Sequence, residues 1–305
     1  LRSGVEGGTL LSVLDRAQTA MGGRLLRRWI LRPLVELEAI SDRQQGVAEF
    51  VDDPALRGAV REAVGAVHDL ERIAGKLGTG RVTPRDLVGL RRSLDQLPGL
   101  RELVTSSDQA ALRAHAETLD PLDDVRALLH RALGDDPPAA LADGGVIAAG
   151  FDAELDELRA VRDGAVDFIA SLQARERERT GIASLKVGFN KVFGYYLEVT
   201  RTHLERVPDD YVRKQTLANA ERYFTPELKE WEEKVFGAED RLGALEARLF
   251  GEVRAAVGQR IARLQHAAAV VAELDVLAGL AEVAVRQRYV RPELHTGFDL
   301  EITAG

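Results

Sequence analysis

The stretch Ser184–Thr200, SLKVGFNKVFGYYLEVT, decides the reading of this chain, because only there does strict alternation with β-branched and aromatic residues displace helical periodicity. Leu185, Val187 and Phe189 fall on one face of a first strand, Asn190 and Lys191 begin a turn, and Tyr195, Leu197 and Val199 fall on one face of a second. This is the pattern of a β-hairpin. A second strand-like pair follows, YVRKQTL (211–217) and ERYFT (221–225), so a small antiparallel sheet is expected. Gly188 and Gly194 read as positions for bulges or tight turns, and Tyr195 and Tyr196 as sheet and core residues.

Outward from the sheet, both flanks turn helical. Phe151, Leu155, Leu158, Val161, Ala165, Phe168 and Leu172 recur every three or four residues, which predicts a helix of about 30 residues, roughly 45 Å long. After the sheet, Pro226 opens a second long helix whose apolar residues, Leu228, Trp231, Val235, Ala238, Leu242, Leu245, Leu249, Val253, Val257, Ile261 and Leu264, approach a heptad seam. Neither helix can bury its stripe alone. Because they flank the same insert, they are expected to pack antiparallel and to carry the sheet between them.

Further out, the N-terminal part reads as a run of short helices. GGTLLSVLDRAQT and MGGRLLRRWILRP give two, the second capped by Thr19 and stopped at Arg32-Pro33. Others are expected at about 36–51, 54–66 and 69–77. Thr83 then caps a helix with Pro84 at its first position, carrying Leu87, Leu90, Leu94 and Leu97 at helical spacing. Residues 1–104 form a compact helical unit on this reading. Paired prolines and glycines in DDPPAALADGG make 119–150 a joining loop. A last helix at about 267–288, apolar on most sides, is expected to return into the core of the first unit, closed by Arg291-Pro292. Loop and a strand-like LEIT follow.

Composition bounds the function. The chain has 305 residues, 45% hydrophobic, 5% aromatic and 30% charged, the profile of a helix-rich soluble chain. It has no cysteine, which excludes disulfides and thiolate metal sites. No signal peptide and no 18-residue apolar span is legible, so a cytoplasmic location is the default. The chain starts at Leu1 without an initiator Met and stops just after LEIT, and so reads as a piece of something longer. Its net charge of −8 argues against nucleic acid on average. Locally the balance reverses: between Ile182 and Pro226, seven basic residues (Lys186, Lys191, Arg201, Arg206, Arg213, Lys214, Arg222) face five acidic ones. Taken alone, that excess is first of all a solvated face. The six histidines are scattered, no phosphate-cradling G-x-x-x-x-G-K-[ST] loop is present, and the pairs Asp123-Asp124, Asp135-Asp136 and Asp209-Asp210 read as solvated charge rather than metal ligands. No enzyme is read here.

Six segments in order carry a resemblance: LLSVLDRAQTAMGGRLLRRWILRPL; DLERI with PRDL and SLDQLP; GFDAELDELR; RERERTGIASLKVGFNKVFGYYLEVT; RKQTLANAERYFTPELKEWEEKV; and VAELDVLAGLAEVA. Together they resemble the lever (core) and clamp domains of the MutS family of DNA mismatch-repair proteins. One departure falls at Gln18-Thr19-Ala20-Met21-Gly22-Gly23, where the family's T-x-T-P-M-G-S places proline at the position of Ala20. The resemblance implies a mainly α fold, in which a multi-helical lever domain bears two long antiparallel arm helices and a small antiparallel β clamp. The divisions expected are 1–174 for the first lever part with the ascending arm, 175–235 for the clamp, 236–288 for the returning arm and core helix, and 289–305 for the start of a segment leading to an ATPase domain. It implies binding of duplex DNA backbone, without sequence choice, by Lys186, Asn190, Lys191, Arg201, Arg213, Lys214, Gln215, Thr216, Asn219 and Arg222, and relay of conformational change to that ATPase domain. No cofactor is expected in this chain; ATP and Mg, a homodimer, mismatched DNA and the partner MutL are implied for the parent. The alternative from the residues alone is a coiled-coil scaffold whose sheet tip binds protein. Lacking the phosphate-cradling loop and its lysine, the chain is expected to release no phosphate from ATP with magnesium; turnover above background in a phosphate-release assay would contradict this reading.

Overall fold

The computed structural model describes residues 8–303 other than 107, 109, 191 and 193, with the backbone alone at 165 and 166. Two compact units divide the chain, one of residues 1–141 with 251–305 and one of residues 142–250.

In the first unit, α1 (Leu10–Leu14), α2 (Ala20–Leu31), α3 (Leu37–Asp52), α4 (Pro54–Gly65), α5 (Leu70–Gly78), α6 (Pro84–Thr105), α7 (Ala110–Glu117) and α8 (Asp123–Ala132) precede the second unit in sequence. The last helix, here called α11 (Ile261–Gln287), follows it. It is apolar on nearly every side, as a helix must be that is surrounded by others. Leu264, Val271, Leu274, Leu277 and Ala281 are buried on it, and it packs against α2, α3, α4, α5 and α7. The helix expected to return into the first unit's core does so.

One charged residue of that helix lies wholly in the core. The Asp275 carboxylate, completely buried, accepts hydrogen bonds from the backbone N–H of Gln18 (2.8 Å) and Thr19 (2.8 Å) and from the Thr19 hydroxyl (2.7 Å). The Thr19 hydroxyl in turn accepts the Gly22 N–H and caps α2. A side chain at position 22 would collide with the Asp275 carboxylate, so glycine is required there. Ala20 occupies the first helical position, where proline fits without losing a hydrogen bond, so its replacement of proline leaves the cap intact. Glu49 plays a comparable part, accepting the N–H groups of Ala111 and Leu112 at the start of α7. Asp124 is bound by Arg260 and Arg263, and Asp135 by Arg91.

The second unit contains α9 (Ala153–Thr180), β1 (Lys186–Asn190), β2 (Gly194–Thr200), β3 (Val212–Thr216), β4 (Ala220–Phe224) and most of α10 (Pro226–Gly258). Stacking of Phe168 on Trp231 and ion pairs Arg175–Glu227 and Glu154–Arg241 set α9 and α10 antiparallel, as expected. Glu246 of α10, almost fully buried, accepts the N–H groups of Gly145, Val146 and Ile147 at 2.8–3.0 Å and a hydrogen bond from Arg159 of α9. No helix among the described residues is long and apolar enough to cross a membrane.

Three expectations are corrected. The segment 119–150 is not all loop: α8 lies in it, and its Val125, Leu129 and Ala132 are buried at helical spacing. The Pro/Gly cluster breaks structure only from residue 134 on. Pro98 lies inside α6, where buried Leu97, Leu100 and Val104 carry the helix past the one hydrogen bond that proline removes. The heptad seam of α10 stops at Gly258, a poor helix former, and Arg260 leaves helical geometry, so Ile261 and Leu264 belong to α11 instead. At its other end α11 stops at Gln287, within a residue of the expected 288 and short of Arg291-Pro292, closed by left-handed Arg288 with Tyr289 N–H on the Ala284 carbonyl. Finally, the LEIT segment expected as a strand has no ladder partner among the described residues, and its Leu300 and Ile302 are exposed.

Burial pushes the Asp275 carboxyl above its ordinary range, against the pull of its hydrogen bonds with Gln18 and Thr19. The folded chain therefore holds this proton more tightly than the unfolded chain. Its contribution to stability is greatest in acid and falls as pH rises from about 4 through the raised folded value. Replacement by alanine leaves three donors unpaired in the core. Asp275→Ala is expected to cost about 3 kcal/mol at neutral pH, read from denaturant unfolding; a midpoint unchanged from the parent would remove Asp275 from this role.

Candidate nucleic-acid interface

The sheet is antiparallel with strand order β1-β2-β4-β3, and its register sorts every side chain to one of two faces. Val187 lies opposite Leu197 and Leu197 opposite Tyr223, while Phe189 lies opposite Tyr195. This face is apolar and packs with Leu172 of α9, Leu228 of α10, Ile182, Leu185 and Tyr211 into one buried cluster. Burial first, and a hydrogen bond to Glu221 second, push the Tyr223 phenol up to about 12. Tyr211 donates to the buried Glu176 at 2.8 Å, and Arg179 links Glu176 to Asp210, which orders the connection into β3.

The other face is polar and turned away from the helices. Lys186 lies opposite Glu198, and Glu198 opposite Arg222. A bulge between Arg213 and Gln215 then decides which residues of β3 join them: Arg213 stays opposite Tyr223, but Gln215 rather than Lys214 lies opposite Arg222. The extra residue, Lys214, sets its ammonium 5.5 Å from the Phe224 ring, so Lys214 and Gln215 both accompany Arg222 on the outward face. A regular strand would also have kept Lys214 outward, opposite Arg222, but would have sent Gln215 inward. Lys229 at the start of α10 also reaches the Phe224 ring, at 5.8 Å. The sequence reading missed Lys229 because it counted basic residues only as far as Pro226.

The expected site residues thus separate. Lys186, Lys214, Gln215 and Arg222 share the outward face. Lys186 makes no ion pair among the described residues. The Arg222 guanidinium is committed: it donates to Glu198 (2.9 Å) and Gln215 (3.1 Å) and lies 4.0 Å from the Tyr196 ring centre. Arg213 sits on the helix-facing side, at the edge, about two thirds exposed and 3.7 Å from Glu221. Thr216 lies opposite Glu221 and is exposed, as is Asn219 in the turn between β3 and β4. Arg201 donates to the Leu217 carbonyl at that same turn. Asn190 accepts the Val192 N–H and shapes the hairpin turn. Lys191 lies outside the described residues.

The two sheet glycines have distinct causes. Gly194 adopts φ +73°, and a side chain there would strike the Glu232 carboxylate, which accepts the Tyr195 N–H at 2.6 Å and ties the hairpin to α10. Gly188 is neither bulge nor turn, contrary to the sequence reading: the Tyr196 ring lies across it, and a Cβ would come within 2.7 Å of that ring. Tyr196 is thereby layered between Gly188 and Arg222. Glu232→Ala is expected to speed hydrogen exchange at the Tyr195 amide by about tenfold, the effect of losing one hydrogen bond to a charged group. An unchanged rate would show that Glu232 does not hold the hairpin.

A helix pair closing on a four-stranded sheet with one apolar and one basic-polar face, together with a helical unit built round one apolar helix, defines a mainly helical scaffold protein bearing a small surface sheet. The family described as MutS domain III matches residues 1–281, and the chain belongs to that family. It is 48% identical to the DNA mismatch repair protein MutS of Salinibacter ruber, over 98% of this chain and 33% of that protein. Identity to the protein of the same name from Symbiobacterium thermophilum is 51%, over 99% and 34%, and to that from Pelotomaculum thermopropionicum 48%, over 100% and 36%. The chain therefore spans about a third of the length of the curated relatives it matches.

Proposed function

We propose that this chain is the DNA-holding and lever portion of a mismatch-repair protein of the MutS type, and that the outward face of its sheet rests on the phosphates of duplex DNA. The observation that carries the reading is that Lys186, Lys214 and Arg222 share the outward face of the sheet, to which the bulge at Lys214 adds Gln215. Ammonium groups and amides on a flat face meet phosphate oxygens without reading bases. Arg222, already paired with Glu198, orders that face rather than adding net charge to it. Lys186, Lys214 and Lys229 supply the charge, with Arg201 and Arg213 at the margins.

The remaining parts rest on the resemblance to the MutS family. α9 and α10, locked at one end by Glu246 and stitched at the other by Glu232, would transmit a shift of the sheet along their length as a lever does. In the parent, the lever would report to an ATPase domain using ATP and Mg, within a homodimer that engages mismatched DNA and MutL in the cytoplasm. The residue division proposed for this work is 1–174 and 236–288 for the lever and 175–235 for the clamp. Exposed Phe189 and Val192 at the hairpin end favour the second reading, a protein-binding tip. Salt separates the two, since phosphate binding releases counterions and an apolar contact does not.

Three phosphate contacts give a log–log salt slope of about −3, so a tenfold rise in salt is expected to weaken duplex binding about a thousandfold. Affinity should not distinguish matched from mismatched duplex. Lys186→Glu with Lys214→Glu is expected to abolish most binding and flatten the slope in fluorescence anisotropy. Arg27→Glu with Arg28→Glu, an equal charge change on the exposed side of α2, should do much less. Equal losses in the two would reduce the effect to net charge and exclude a specific holding face.

A further inference from the structure

A cavity of about 360 Å³ in the first unit lies between α5 and α6, and each helix presents two basic residues to it. Arg72 and Lys76 stand one turn apart on α5; Arg85 and Arg92 stand two turns apart on α6, with Gly89 between them on the same face. His68 completes this wall. Ile73, Val88 and Pro137 give the cavity an apolar floor.

Of the acids at this cavity, Asp69 is engaged outside the cluster and Asp86 by one member of it. Arg24 of α2 forks onto Asp69, at 2.7 and 2.8 Å, and takes Glu71 at 2.6 Å. Its hydrogen bond holds the Asp69 carboxyl below the usual carboxylate range. Lys76 takes Asp86 at 2.6 Å, and Asp86 also closes the capping box of α6 through Thr83. Arg72, Arg85 and Arg92 are left exposed, with no ion pair among the described residues, and with Asp136 as the one further carboxylate on the rim. Like charges gathered round one concavity repel, and the pairing of Asp86 with Lys76 and the nearness of Asp69 to Arg72 relieve them only in part. Gly89 adds a second cost, since glycine within a helix disfavours it relative to alanine. The nearest atom to a side chain at 89 would be the His68 ring at 3.9 Å, so packing does not demand glycine there. Its effect is to keep the cavity open between the arginines.

We propose that this cavity binds a small phosphate monoester, its dianionic phosphate forked by Arg72, Arg85 and Arg92 and its organic part lying on the Ile73–Val88 floor. Three separately mounted guanidiniums call for an anion of about two charges with at least three acceptor oxygens. A carboxylate satisfies only one fork. The volume is at the lower end of small-molecule pockets and admits a phosphate with a short organic group.

The test is titration of the whole chain with inorganic phosphate and with glycerol 3-phosphate, followed by ³¹P NMR at constant ionic strength set with chloride. One saturable site per chain is expected for both, with glycerol 3-phosphate bound at least as tightly. Arg72→Ala with Arg92→Ala should weaken binding by about tenfold or more, and Arg27→Ala with Arg28→Ala should leave it unchanged. Gly89→Ala keeps every charge and is expected to raise the melting temperature while weakening phosphate binding several-fold, a combination that general misfolding does not produce. Non-saturating broadening, or equal losses in the two arginine pairs, would overturn the site. So would a Gly89→Ala variant that binds as the parent does.

Discussion

A sheet of four strands, each five to seven residues long, cannot bury a face by itself, and this constraint organises the second unit. Val187, Leu197 and Tyr223 are withdrawn from water only because Leu172 and Leu228 are brought against them. The helices that enter and leave the sheet must therefore converge on the same side of it. Their convergence leaves the opposite side free of apolar demand, and only a side so freed can be given over to lysines and amides. The basic face is a consequence of the buried one.

The first unit rests on a comparable economy. An apolar helix threaded through six others has nothing in its packing that fixes which way each neighbour faces, since apolar contact is non-directional. Asp275 supplies direction: its oxygens accept only from donors correctly placed, and they fix the entry of α2 at Gln18 and Thr19 to within hydrogen-bond tolerance. Glu49 and Glu246 repeat the device at α7 and at the Gly145–Ile147 turn. In each case a buried carboxylate receives backbone N–H groups that have no other partner.

These devices explain where sequence reading succeeds and where it stops. Periodicity, proline and threonine caps are local, so the hairpin, the long helices and the start of α6 are legible from a few residues each. Asp275 looks no different in sequence from its neighbours Glu273 and Glu282, and its partners lie more than 250 residues away; no window of sequence contains the interaction. The bulge in YVRKQTL was equally hidden, because it is a property of two strands in register and not of one. Lys229 escaped because its neighbours are helical, although in space it stands over a strand aromatic. Gly188 looked like a backbone requirement and was instead a space left for a ring. α8 was masked by the prolines and glycines that follow it, whose influence reaches fewer residues than their density suggests.

The surplus residue in β3 has one more consequence. A strand that carries an extra residue between two paired ones can lose it without changing sides: removal of Lys214 alone would leave Arg213 opposite Tyr223 and Gln215 opposite Arg222 in a regular ladder, and would take one ammonium from the outward face. At Lys214 substitution and deletion alike are therefore a matter of charge and not of parity.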